Sequence, residues 1–164
     1  MSHECDDVAL TVSVMDGQYR IHSLSEMVEM WPGSQEGLFV GEDNWVAILC
    51  GTQWGPVDLR IRACGRPPGE VERGWDMVAE WSLDCSDGRL TIHDLYSSEP
   101  PEAIDVVPGW MRLRLSVRDR ARASRTPEPL ETAVEHHFLQ LWPAPNRQDP
   151  SVVHGPDEHA QFLR

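Results

Sequence analysis

Residues 110–119 constrain this chain more than any other stretch. Met111, Leu113, Leu115 and Val117 alternate with Arg112, Arg114, Ser116 and Arg118. Successive side chains of a strand point to opposite faces, so one face here is apolar and the other carries guanidinium groups. That is the pattern of a half-buried antiparallel strand. Residues 57–64 repeat it, with Val57, Leu59, Ile61 and Ala63 against Asp58, Arg60 and Arg62. Residues 77–85 do so again, setting Met77, Ala79, Trp81 and Leu83 against Val78, Glu80, Ser82 and Asp84. Val8, Leu10, Val12 and Val14 form another apolar row, which runs into Asp16-Gly17. An Asp-Gly pair between alternating runs predicts a tight hairpin, because primed turns need positive φ.

Further strands are expected at 37–40, 45–52, 89–95, 104–107 and 135–142. Turns separate them, and no set of alternating helices supports a parallel α/β fold. The expected architecture is all-β: an antiparallel two-sheet β-sandwich of about eight to ten strands with at most one or two short helices. Residues 23–31 read either as one such helix, where Ser23 and Glu26 resemble a capping box and Trp31-Pro32-Gly33 ends the run, or as an irregular loop over one end of the sandwich. Residues 1–145 read as one domain, and 146–164 as a loosely attached tail with a turn of helix near 158–163.

Function is less legible. The chain has no lysine, which removes phosphate-loop and Schiff-base chemistry. None of its four cysteines has Cys-x-x-Cys spacing, so Cys5, Cys50, Cys64 and Cys85 are expected as free thiols in a reducing compartment. Adjacent strand residues face opposite ways, so His136 and His137 are not expected to share a metal. No catalytic residue, metal site or cofactor is expected. The acidic N-terminus lacks the basic and apolar regions of a signal peptide, and no apolar run reaches membrane-spanning length, so the expected location is the cytoplasm.

The net charge is −13, and it is uneven. Residues 1–44 carry nine acids against Arg20 alone. Such a surface repels nucleic acid and anionic lipid and attracts a basic protein. The Arg60, Arg62, Arg112 and Arg114 face is expected to be salt-bridged by Glu80 and Asp84, the alternative being an anion or carboxylate site.

From Trp75 to Asp119 the chain shows a strand, Asp87-Gly88, Leu90-Thr91-Ile92-His93, a loop, Val106-Val107-Pro108-Gly109-Trp110 and a further alternating strand. Before it come an early hairpin, a Trp31-containing connection and Gly37-Leu38-Phe39. In element order this resembles the DNA-entry nuclease inhibitors of the competence protein J family. The resemblance spans 8–119. The Arg-rich 118–125 stretch, the 135–142 strand and the tail depart from it, and no inhibitory residue is carried over.

The resemblance implies a small acidic protein that blocks a partner. The expected function is therefore a non-catalytic inhibitor or immunity protein for a basic nuclease or toxin. Glu26, Glu29, Glu36, Glu42 and Asp43 would form an acidic rim around Trp31 as aromatic anchor. Two alternatives stand beside it: a carbohydrate-binding module using Trp31, Trp54 and Trp75, and a homo-oligomeric subunit pairing strand edges.

Overall fold

The structure, a computed structural model, describes residues 5–22, 34–93 and 102–163. The capping-box helix or loop read at 23–31, with Glu26, Glu29 and Trp31, lies outside them. In chain order the elements are β1 (Asp6–Met15), β2 (Gln18–His22), β3 (Phe39–Gly41), β4 (Trp45–Leu49), β5 (Trp54–Ala63) and β6 (Met77–Cys85). There follow β7 (Arg89–His93), β8 (Glu102–Asp105), β9 (Gly109–Arg118), the short helix α1 (Arg120–Ser124), β10 (His136–Pro143), β11 (Ser151–His154) and a 3-10 turn, His159–Phe162.

The all-β expectation holds, but the two-sheet antiparallel sandwich is corrected. The strands form one 11-stranded sheet, curled on itself as a half-barrel. It is mixed, because β10 inserts between β9 and β5 and runs parallel to β5, pairing His137 with Leu59 and Leu139 with Ile61. Alternation sets which face a side chain takes. It is silent on which strand lies next door.

The sheet has two limbs. The first runs β11-β6-β9-β10-β5-β1 and the second β3-β4-β2-β7-β8. β1 pairs with β5 along its whole length, from Asp6↔Ala63 to Met15↔Trp54, yet meets β2 only at Met15↔Gln18. Asp16 and Gly17 have φ of 53° and 74°, the left-handed pair a tight primed turn requires. The predicted hairpin turn therefore exists but makes a corner, beyond which β2 joins β4 and β7.

The core fills the space between the limbs. Val12, Leu59, Leu113, Leu115 and Leu139 of the first limb pack with Tyr19, Ile21, Phe39, Ile48 and Leu90 of the second. The apolar row expected on β9 is buried in full, and on β5 Val57, Leu59 and Ile61 are buried while Ala63 is half-buried; on β6, Ala79 and Leu83 are buried while Trp81 is half-buried, its indole N–H donating to the Glu42 carbonyl.

Two further expectations are corrected. Cys5 and Cys64 are not free thiols; they form a disulfide, while Cys50 and Cys85 are free and buried. The bonded pair is 59 residues apart in sequence, and only the β1–β5 register brings the two side by side. The segment after 145, expected to be loose, is held at several points. β11 pairs with β6, Arg112 donates to the carbonyls of Gln148 and Asp149, and Ala160 is fully buried in the core. Among the described residues no helix is long and apolar enough to cross a membrane.

Candidate functional site

The expected interface acids do not share one environment. Glu36 is half-buried and works internally: its carboxylate accepts the Phe39 N–H at 2.6 Å and the Ser34 hydroxyl at 3.3 Å, shaping the entry to β3. Glu42 and Asp43 are exposed on the turn between β3 and β4. Asp43 accepts the Arg147 Nε–H at 3.0 Å, and Arg147 also reaches Asp149 at 3.0 Å. The backbone N–H of Asp84 donates to the Asp43 carbonyl, which brings a fourth carboxylate close. Asp43 and Asp149 thus share Arg147, with Glu42 next in the chain and Asp84 joined to Asp43 through the backbone; Glu42 and Asp43 lie at the very end of the acidic N-terminal segment, and Asp84 and Asp149 are remote from it. No spacing signal announces this grouping, because 104 residues separate Asp43 from Arg147.

The arginine face divides in two. Glu80 accepts Arg114 Nε–H at 2.8 Å and Arg112 Nε–H at 3.4 Å, as cross-strand parity predicts. Arg112 is nevertheless only 3% exposed, because the 147–151 segment covers it. Arg60 stacks over the Phe138 ring at 4.0 Å and Arg118 over Trp75 at 5.2 Å. These four line a surface cavity of about 490 Å³ together with Asp58 and Glu72. The aromatic rings here support guanidinium groups. Trp54 lines a different cavity, with Pro56, Pro129 and Leu130, so the two described tryptophans of the carbohydrate reading share no platform.

A third assembly was not expected at all. Between the limbs lies a buried polar node. Glu135 Oε1 accepts the N–H groups of Gly51 and Thr52, both at 2.9 Å, and the Thr52 hydroxyl at 3.2 Å. Its other oxygen pairs with His137 Nε2, and His137 Nδ1 lies 2.8 Å from the Tyr19 hydroxyl. Burial pushes the Glu135 carboxyl up, but His137 and the Thr52 N–H outweigh it and hold the group below the usual carboxylate range. Beside it Arg120 is fully buried and donates twice to Asp157, at 2.8 and 2.6 Å, and to the carbonyls of Gly37 and Leu49. Gly51 makes this approach possible, since a Cβ there would stand 1.8 Å from the Arg120 carbonyl oxygen. The sequence signal was the period-2 spacing of Glu135 and His137, which puts both on one strand face.

No family model matches this sequence, and no curated protein matches it. Solved structures do share its fold. The crystal structure of ComJ, inhibitor of the DNA degrading activity of NucA, from Bacillus subtilis, aligns with a TM-score of 0.63 at 9% identity, over 88% of this chain and 100% of that one. A structure titled Crocagin biosynthetic gene J aligns with a TM-score of 0.54 at 13% identity, over 87% of this chain and 99% of that one. The likeness to the competence protein J fold that element order implied is therefore found in three dimensions. At these identities it is a likeness of fold.

Proposed function

We propose that this protein is a non-catalytic acidic binder that captures and blocks a basic protein partner, such as a nuclease or toxin. The observation that carries the reading is the likeness in fold, over 88% of this chain, to ComJ, a nuclease inhibitor, in a chain of net charge −13. A negative surface accelerates encounter with the positive substrate cleft of a nuclease and disfavours binding to nucleic acid itself. In this reading the exposed turn of Glu42 and Asp43, with Asp84 and Asp149 beside it, meets the partner. Glu26, Glu29 and Trp31 complete the proposed interface, and Glu36 supports it from within. Neither a cofactor nor a membrane enters the mechanism in this reading.

Pull-down from the source organism followed by mass spectrometry identifies the partner. Glu42→Arg, which breaks no hydrogen bond of its own carboxylate among the described residues, is expected to slow association and flatten its salt dependence by stopped-flow fluorescence. Asp43→Arg adds to that effect while also releasing Arg147. A partner whose association ignores both reversals, and ignores salt up to about 0.5 M, would refute electrostatic capture.

A further inference from the structure

Cys50, Glu135 and His137 bring a sulfur, a carboxylate oxygen and a ring nitrogen within 4.8 Å of one another. All three side chains are buried, at 1%, 0% and 2% exposure. They come from opposite limbs: Cys50 directly follows β4, whereas Glu135 directly precedes β10 and His137 is its second residue. Hydrogen bonds already tie the three to one another, with Glu135 at the centre. Glu135 is held by Gly51 and Thr52, and His137 lies between Glu135 and Tyr19. The Cys50 thiol reaches the Glu135 carboxylate and, at 3.7 Å, the carbonyl of Ile48, two residues back. A small apolar residue would fill the same volume, but sulfur adds a third donor atom beside the carboxylate and the imidazole. Thiolate, imidazole and carboxylate together are a donor set that zinc takes.

The geometry points to a structural site for a zinc-type divalent cation, held by Cys50 Sγ, a Glu135 carboxylate oxygen and His137 Nε2, which fastens β4 of one limb to β10 of the other. Charge supports this. A thiolate and a carboxylate neutralise a divalent ion, and the imidazole binds neutral, so the buried centre carries no net charge. On binding, the Cys50 S–H bond breaks, its proton leaves to solvent and a sulfur–metal bond forms without any change of oxidation state. His137 then carries its proton on Nδ1, where the Tyr19 hydroxyl accepts it at 2.8 Å; that outer hydrogen bond fixes which nitrogen faces the ion. Thr52 Oγ1, 3.2 Å from the same carboxylate, is a neutral oxygen at hand for the fourth position. The need for such a fastening is plain in the fold, where the two limbs share a single ladder pair at Met15↔Gln18.

The test uses the full chain, disulfide intact, unfolded with chelator, desalted and refolded with Co2+. The expected result is a thiolate-to-cobalt charge-transfer band in the near ultraviolet, with visible d–d bands, saturating at one equivalent. Cys50→Ser should abolish the charge-transfer band, and Cys85→Ser should retain it. Wild-type protein that refolds by circular dichroism without the band overturns the proposal, as does a band that survives Cys50→Ser. Should Cys50→Ser fail to fold, alkylation of the wild-type protein decides the matter. Refolding with Zn2+ should slow modification of Cys50, followed by peptide mass spectrometry, at least about tenfold relative to chelator, in keeping with protection of a metal-bound thiolate. Equal rates overturn the proposal.

Discussion

Arg62 and Arg120 each hold an aspartate with two N–H groups, and they do so in opposite surroundings. On the outer face of the first limb Arg62 meets Asp7 at 2.8 and 3.0 Å, with the two side chains 33% and 48% exposed. Between the limbs Arg120 meets Asp157 at 2.8 and 2.6 Å, at 0% and 7%. The bond lengths are alike, and the consequences are not. The outer pair forms in water, which screens it and solvates either partner left alone. Both inner groups have lost that water. Burial works to raise the Asp157 carboxyl, and the Arg120 guanidinium first, with the Ala160 N–H, brings it below the usual carboxylate range. The geometry of an ion pair therefore says little about what it contributes; what surrounds it decides.

The largest expected effect follows from stranding the inner aspartate. Arg120→Ala should cost about 3–5 kcal/mol in urea unfolding, because Asp157 is left charged and buried. The double replacement Arg120→Met, Asp157→Leu should recover most of that loss, since two apolar groups leave no unpaired charge. If the single and double variants are equally damaged, packing rather than charge holds the limbs together at this point.

A buried group with no partner sharpens the same contrast. His22 is 1% exposed, and neither ring nitrogen has a hydrogen-bond partner among the described residues. Burial, with His93 and Arg20 nearby, pushes its pKa down to about 4 from 6.5. The unfolded chain therefore takes up the proton first as pH falls. The stability this residue contributes is fully present above pH 6.5 and is lost as pH drops from 6.5 towards 4. At about 1.4 kcal/mol per pH unit the loss approaches ~3 kcal/mol. It should appear as a difference between wild type and His22→Phe in unfolding measured across that range, and parallel pH profiles would remove His22 as the cause.

The smallest effect belongs to the outer pair. A double-mutant cycle on Asp7 and Arg62 should give a coupling of about 0.2–1 kcal/mol, shrinking with added salt. A coupling as large as that of the inner pair would break the comparison outright.

Much of the outer region was legible before any coordinates. Period-2 alternation placed Arg60, Arg62, Arg114 and Arg118 on a polar face with Glu80 at matching parity, and Val57, Leu59 and Ile61 of β5 and the β9 row on the buried face. It also foresaw the left-handed turn at Asp16-Gly17. These are local properties: a strand's face and a turn's φ depend on a handful of adjacent residues. The inner node offered no comparable signal. Arg120 lies in the Arg-rich 118–125 stretch, which departs from the family resemblance, and Asp157 lies in what reads as a tail. Only the Glu135-x-His137 spacing hinted at a shared face.

Composition and alternation determined that this chain is all-β, acidic, and apolar along the rows that line its core. Those facts follow from how side chains divide between water and a sheet face, which each segment expresses by itself. Tertiary structure decided the rest: one curled sheet instead of two, the parallel step between β10 and β5, the Cys5–Cys64 disulfide, and the meeting of Glu135, His137 and Cys50. Each of these depends on which distant segments become neighbours. Neighbours are selected by closure of the whole core, a condition no single window of sequence contains.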